Sequence, residues 1–273
     1  MRAFDIDGFR VDAAGGPRER ASEFWPRWRA ELKRIKPDLL LLAEASARDH
    51  YYVGHGFDAA YDWTEKLGQW AWQDSFANPA HTAARLRGAI TASQSDAPVF
   101  RFLNNNDTGA RFLSRYGLGR ARVAAAMLLT LPGLPGLYAG DEVGAAYEPY
   151  RDPQPIGWDD PNDLRSWYAK LIALRHGYAA LRSQIICFVD LSAGDEILAY
   201  LRGAADPAEN ILVVLNYGTS AQSILLPDSV LQAIAPGGRS IDLVNQTEVA
   251  LTRDSAVLSV AADGVRILQT KPN

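Results

Sequence analysis

Arg10 and Asp12 stand two residues apart in Gly8-Phe9-Arg10-Val11-Asp12-Ala13-Ala14, each flanked by apolar residues. In a strand that spacing puts a guanidinium and a carboxylate on one face. Such charges are costly to bury unless they pair or serve a site. A second acid closes an apolar run, Leu39-Leu40-Leu41-Leu42-Ala43-Glu44. A third, Asp107, follows Phe100-Arg101-Phe102-Leu103 through Asn104-Asn105-Asn106. Taken singly, each has a plain structural reading: a buried Arg–Asp pair, a capping or loop acid, a turn acid. Taken together, acids at the ends of separate apolar runs suit nucleophilic and general acid/base chemistry at one edge of a sheet.

The segments between these residues read as strands and helices in alternation. The first acid closes a short buried strand. Phe24, Trp28, Leu32 and Ile35 recur at helical spacing within residues 19–35. The run at 39–44 has no polar alternation, as expected of a strand covered on both faces. Residues 57–61 read as a short strand, 64–76 and 80–92 as helices, and 98–103 as a strand. A helix over 119–131 is stopped by Pro132-Gly133, and a strand follows over 134–139. Asn162 or Asp163 is expected to cap a helix running to 174. Strand–helix alternation of this kind predicts a parallel sheet of βα units, whose carboxyl-end edge carries the chemistry. Most aromatic residues in the 51–76 region are expected in the core, with sugar stacking the lesser alternative.

Past residue 182 helical periodicity gives way to seven short apolar runs separated by Gly, Pro, Asp and Asn. They predict an antiparallel β-sandwich of strands and turns only. The expected division is an α/β domain over 1–182 and an all-β domain over 183–273.

Bulk properties narrow the class. The 273 residues are 48% hydrophobic and 22% charged, with a net charge of −4. That balance argues against a nucleic-acid surface and gives no sign of binding to anionic membranes. No apolar run is long enough to span a bilayer, and residues 1–5 have no signal-peptide core, which makes the cytoplasm the default location. The single cysteine, Cys187, rules out an intrachain disulfide and a thiolate metal cluster; its apolar neighbours predict a buried, inert thiol. No phosphate-binding loop, His/Cys metal cluster or Ser-His-Asp arrangement competes with the carboxylates.

These motifs, in this order, resemble the α-amylase family of glycoside hydrolases (family 13). The stretch from Gly8 to Ala14 resembles that family's fourth-strand motif, and Leu42-Ala43-Glu44-Ala45 its fifth. Residues 102–107 resemble its seventh-strand motif, and 136–144 with 151–158 its eighth strand and the loop after it. The resemblance implies a partial (β/α)8 TIM barrel, about strands 4–8, followed by the family's C-terminal β domain. It implies Asp12 as nucleophile, Glu44 as general acid/base and Asp107 as the acid that holds the sugar at the transition state. Arg10 would favour the charged form of Asp12, and Asn106 would contact the sugar where the family usually has His. The substrate class implied is an α-linked glucose oligosaccharide or polysaccharide, cleaved or transferred with retention. No cofactor is expected; most of the family's calcium site would lie outside this sequence, as would the first three βα units. A truncated chain or misplaced start is therefore expected, with little activity alone and the missing N-terminal half as a potential partner. The alternative is a non-catalytic glucan-binding or assembly subunit of the same fold.

Overall fold

The computed structural model describes residues 4–93, 97–191 and 194–271. The chain divides into two compact units. The first comprises Met1–Ala71, Ile90–Phe102 and Gly133–Gly136; the second comprises Trp72–Ala89, Leu103–Pro132 and Leu137–Asn273.

The first unit is built on a parallel sheet of β1 (Gly8–Val11), β2 (Leu40–Ser46), β3 (Ala59–Tyr61), β4 (Val99–Phe102) and β5 (Leu134–Gly136), in that spatial order. Sequential parallel neighbours are the signature of successive βα units, and the sheet is part of a (β/α)8 barrel. Register runs through Phe9↔Leu41, Leu42↔Ala59, Ala60↔Val99 and Phe100↔Leu134. Gly133, at φ +106°, is the residue that lets β5 approach β4: a Cβ there would stand 2.3 Å from the Val99 carbonyl oxygen.

The helical stretch expected over 19–35 is two helices, α1 (Gly16–Arg20) and α2 (Phe24–Ile35), broken where Ala21 is extended. Trp25 of α2 packs edge-on against Phe57 in a buried cluster with Leu39, Leu41, Ala43 and Tyr52, the last from α3 (His50–Gly54). β2 is buried from Leu41 onward, as its unbroken apolar run requires. β1 departs from expectation: it is half-buried, because it is the last strand of the sheet and has a neighbour on one side only.

Residues 64–76, expected as a helix, are not helical. Trp63 and Trp70 form an antiparallel bridge, Thr64 N–H donates to the Gln69 carbonyl (2.8 Å), and Gly68 turns the chain at φ +79°. Pairing the two tryptophans buries both rings, which outweighs the helix propensity of the short intervening segment.

In the second unit the helices are α4 (Thr82–Ala92, whose last residues belong to the first unit), α5 (Phe112–Tyr116), α6 (Leu118–Thr130), α7 (Leu164–Gly177) and α8 (Ala179–Arg182). Asp163 takes the N-cap position of α7, as expected, but its side chain makes no capping bond; the Asp160 carboxylate instead accepts the Leu164 and Arg165 N–H groups at 2.9 and 2.8 Å. The β region contains β6 (Ile186–Phe188), β7 (Ile197–Arg202), β8 (Ile211–Asn216), β9 (Gln222–Leu225), β10 (Arg239–Asp242), β11 (Thr247–Ala250), β12 (Val257–Val260) and β13 (Val265–Thr270). Six of them form an antiparallel sheet in the order β11-β10-β13-β8-β7-β6; β12 and β9 pair separately. The expectation of strands and turns alone is corrected by α9 (Asp228–Ile234), whose Val230, Leu231 and Ile234 enter the core with Leu212, Val214 and Leu258. Cys187 is exposed, not buried, because β6 is an edge strand whose middle residue faces out.

Candidate active site

β1 ends beside the middle of β2, with Val11↔Ala43 as their last pair. Asp12 follows the end of β1, and Glu44 lies within β2, which runs on to Ser46, so the expected strand-end place of Glu44 is corrected to an interior one. Between Ala43 and Ser46 the register of β2 on β3 shifts, an irregularity that re-aims the side chains within it, Glu44 among them. Glu44 is 9% exposed, whereas Asp12 is open to solvent.

Arg10 joins the two acids. Its Nη1 lies 2.5 Å from Asp12 Oδ1 and its Nη2 lies 2.5 Å from Glu44 Oε1. Its Nε donates to the Tyr61 hydroxyl at 3.2 Å, from β3, and the guanidinium stands 5.8 Å from that ring's centre. Partial burial works against the Arg10 charge, but Tyr61, Asp12 and Glu44 together raise its pKa above the ordinary guanidinium value. The second Glu44 oxygen, Oε2, accepts the Ala13 N–H at 2.9 Å. Ala13 sits at φ +41°, a left-handed conformation that costs a non-glycine residue about 1–2 kcal/mol. That turn carries the Ala13 N–H onto Glu44. Neither Tyr61 nor the Ala13 N–H was legible as a site feature: a tyrosine in an apolar strand reads as core, and backbone φ leaves no trace at alanine.

Asn106 and Asp107 lie in the second unit, on the loop after β4. Asn106 Nδ2 donates to the Tyr150 hydroxyl at 2.6 Å and to Asp107 Oδ1 at 3.2 Å. The Asn105 side-chain oxygen accepts the Asp107 and Thr108 N–H groups at 2.8 and 2.9 Å, which closes the turn that the Asn-rich run suggested. Asp107 is exposed. The structure thus brings Arg10, Asp12 and Glu44 into direct contact, and Asn106 into contact with Asp107.

Among the described residues no group of three or more His, Cys, Asp or Glu side chains converges as a metal site would. Nor is any helix among them long and apolar enough to cross a membrane.

Comparison with known proteins adds three findings. The family model for the alpha-amylase catalytic domain matches residues 1–172. Among curated proteins, a cyclomaltodextrinase of Geobacillus thermopakistaniensis is 31% identical over 241 residues, covering 83% of this chain and 39% of that protein. A maltogenic alpha-amylase of Bacillus acidopullulyticus is 28% identical over 291 residues, covering 98% of this chain and 46% of that protein. The chain therefore spans less than half the length of these relatives. Among solved structures, the alpha-amylase of Geobacillus thermoleovorans complexed with acarbose superposes with a TM-score of 0.81 at 22% identity, covering 99% of this chain and 62% of that one.

Proposed function

The chain belongs to the α-amylase family, and from that premise we propose that it carries the nucleophile and the general acid/base of a retaining α-glucoside hydrolase or transglycosylase. The observation that supports this most is the single guanidinium of Arg10 touching both Asp12, just past β1, and Glu44, on the adjacent parallel strand β2. Retention needs the two carboxyl groups about 5–5.5 Å apart, and two carboxylates sharing one guanidinium are compatible with that spacing.

In this reading Asp12 attacks the anomeric carbon, and Arg10 balances its charge. Glu44 protonates the departing glycosidic oxygen, then takes a proton from water or from a sugar hydroxyl. Both Glu44 oxygens accept hydrogen bonds in the structure, from Arg10 and from Ala13. Asp107, with Asn106 beside it, holds ring hydroxyls and gains strength as the ring distorts. The relatives' names point to short α-glucans and cyclodextrins as the substrate class.

The second reading is a non-catalytic glucan-binding subunit of the same fold. The described parallel sheet has five strands, with β1 and β5 unpaired on their outer sides, whereas a closed barrel of this type takes eight. Open edges admit water, which weakens every electrostatic contribution to the transition state. The 273-residue polypeptide alone is accordingly expected to turn over slowly. The test incubates maltotetraose and β-cyclodextrin with the polypeptide, alone and with a chain supplying three further βα units from a relative. Proton NMR follows the first anomer released. The proposal expects the α-anomer, faster in the supplemented sample. A β-anomer would contradict retention, and sugar-dependent shifts without product in either sample would establish the binding-subunit reading.

A further inference from the structure

Asn104 stands three residues before Asp107 and Arg111 four residues after it, and both reach one carboxylate. Asn104 Nδ2 donates to Asp141 Oδ1 at 2.8 Å, and Arg111 Nη1 donates to the same oxygen at 3.0 Å. The other oxygen, Oδ2, accepts the Tyr138 N–H at 3.1 Å. Each tether is itself fastened. Asn104 Oδ1 accepts the Phe112 N–H at 2.7 Å, and Arg111 Nη2 donates to the Ala139 carbonyl at 2.7 Å. The Arg111 guanidinium stands 4.4 Å from the Tyr138 ring centre and 4.5 Å from that of Tyr147. Asp141 is 7% exposed and Arg111 1%.

Between these tethers residues 105–110 adopt no helix or strand. Their shape rests on the Asn105 turn and on the two anchored ends. We propose that Asp141 is a positioning residue: its carboxylate ties both ends of the 104–111 loop and so sets where Asn106 and Asp107 stand for sugar binding. This rests on the reading of Asn106 and Asp107 as sugar contacts, and goes beyond it by assigning their placement to a buried ion pair that touches no substrate.

The Asp141 carboxylate is the common acceptor of the Asn104, Arg111 and Tyr138 donors. Burial pushes its pKa up to about 7, against the Tyr138 N–H, Arg111 and Asn104, which lower it; Glu142 adds to the rise. The other titratable groups facing it are the hydroxyls of Tyr138 and Tyr168, both raised chiefly by burial and therefore neutral at that pH. Among the described residues Arg111 is the cation paired with Asp141. A pKa raised above the ordinary carboxylate value means that the tied carboxyl takes up its proton more readily than a solvated one would, so protonation below about pH 7 changes the hydrogen bonds at Asp141 without by itself opening the loop.

The experiment follows backbone amides of the 273-residue polypeptide by NMR between pH 5.5 and 8.5, with and without maltotriose. Asp107 and Thr108 amides should shift in one step centred near pH 7. In Asp141→Asn that step should vanish, and exchange of those two amides should quicken at least tenfold, while exchange along Ile211–Asn216 stays unchanged as a control for folding. Asn104→Ala, which unties one end without removing charge, should quicken the same amides by a smaller factor. A step that persists in Asp141→Asn, or unchanged exchange at 107 and 108, overturns the tether. If the loop loosens but maltotriose binds wild type and variant equally, the positioning role is overturned while the sugar reading stands. A loosened loop with maltotriose bound by neither protein supports the tether and counts against the sugar reading instead.

Discussion

Arg10 Nη2 and Glu44 Oε1 lie 2.5 Å apart, a contact that runs between neighbouring parallel strands. The same guanidinium holds Asp12, so the residue expected to serve the nucleophile alone also neutralises the acid/base. Lysine keeps the charge but has no fork to span two carboxylates. Arg10→Lys is expected to slow glycosylation of Asp12 by about 10²-fold, the scale of losing one preorganised donor. Single-turnover labelling with an activated α-glucosyl fluoride measures this. A rate within about threefold of wild type would mean that Arg10 is a structural cation only.

Asp58 ties the first unit together near the far end of β2. It accepts from Arg29 Nη1 (2.6 Å), Lys33 Nζ (2.9 Å) and the Leu41 N–H (2.9 Å). Burial pushes its pKa up, but those donors outweigh burial and hold it below the ordinary value. A depressed folded-state pKa contributes stability fully above the unfolded value of about 3.9, and that stability is lost as pH falls through the folded one. Asp58→Asn is expected to cost about 1–3 kcal/mol at pH 6. The gap between wild type and variant should shrink between pH 4 and pH 2.5. Urea titrations at a series of pH values measure the gap, and a constant gap would refute the assignment.

Phe57 is 2% exposed and stands edge-on to Trp25 and Tyr52. Phe57→Ala should destabilise the first unit by about 3–5 kcal/mol through lost burial and a residual cavity. Denaturant unfolding followed by tryptophan fluorescence reports it, since Trp25 and Trp28 both border the ring. A loss under about 1 kcal/mol would show that the cluster collapses around the gap.

Tyr150 is 74% exposed, yet its hydroxyl accepts from Asn106 at 2.6 Å. Tyr150→Phe removes one neutral hydrogen bond, about 0.5–1.5 kcal/mol, and frees the Asn106 amide to turn. Maltotriose affinity should fall by about 2–10-fold, read by isothermal titration or NMR shifts. Equal affinity would show that the Asn106–Tyr150 bond positions nothing the sugar uses.

The parallel sheet was legible because most of its strands are short apolar runs, and the acids were legible because each follows such a run, although Glu44 lies within β2, which runs on to Ser46. What escaped depends on partners distant in sequence. Trp70 reads as part of a helical face over 64–76 until its bridge to Trp63, just before that stretch, supplies a competing use for the ring. Cys187 has apolar neighbours, but sheet order alone decides that β6 is an edge and its side chain exposed. Asp141 was passed over inside a Gly-rich turn because its meaning comes from Asn104 and Arg111, some 30 to 37 residues earlier. α9 was missed because seven residues with three buried positions resemble a strand as readily as a short helix.

The central claim is that Asp12 is the nucleophile and Glu44 its acid/base, and covalent trapping tests it most directly. An activated fluoro-sugar α-glucosyl donor is incubated with the polypeptide, alone and supplemented with the further βα units, and the modified peptide is located by mass spectrometry. The account predicts an ester on Asp12, absent in Asp12→Asn and longer-lived in Glu44→Gln, because its hydrolysis needs the base. An adduct on Glu44 or Asp107, or no adduct on Asp12 in either sample, would contradict it.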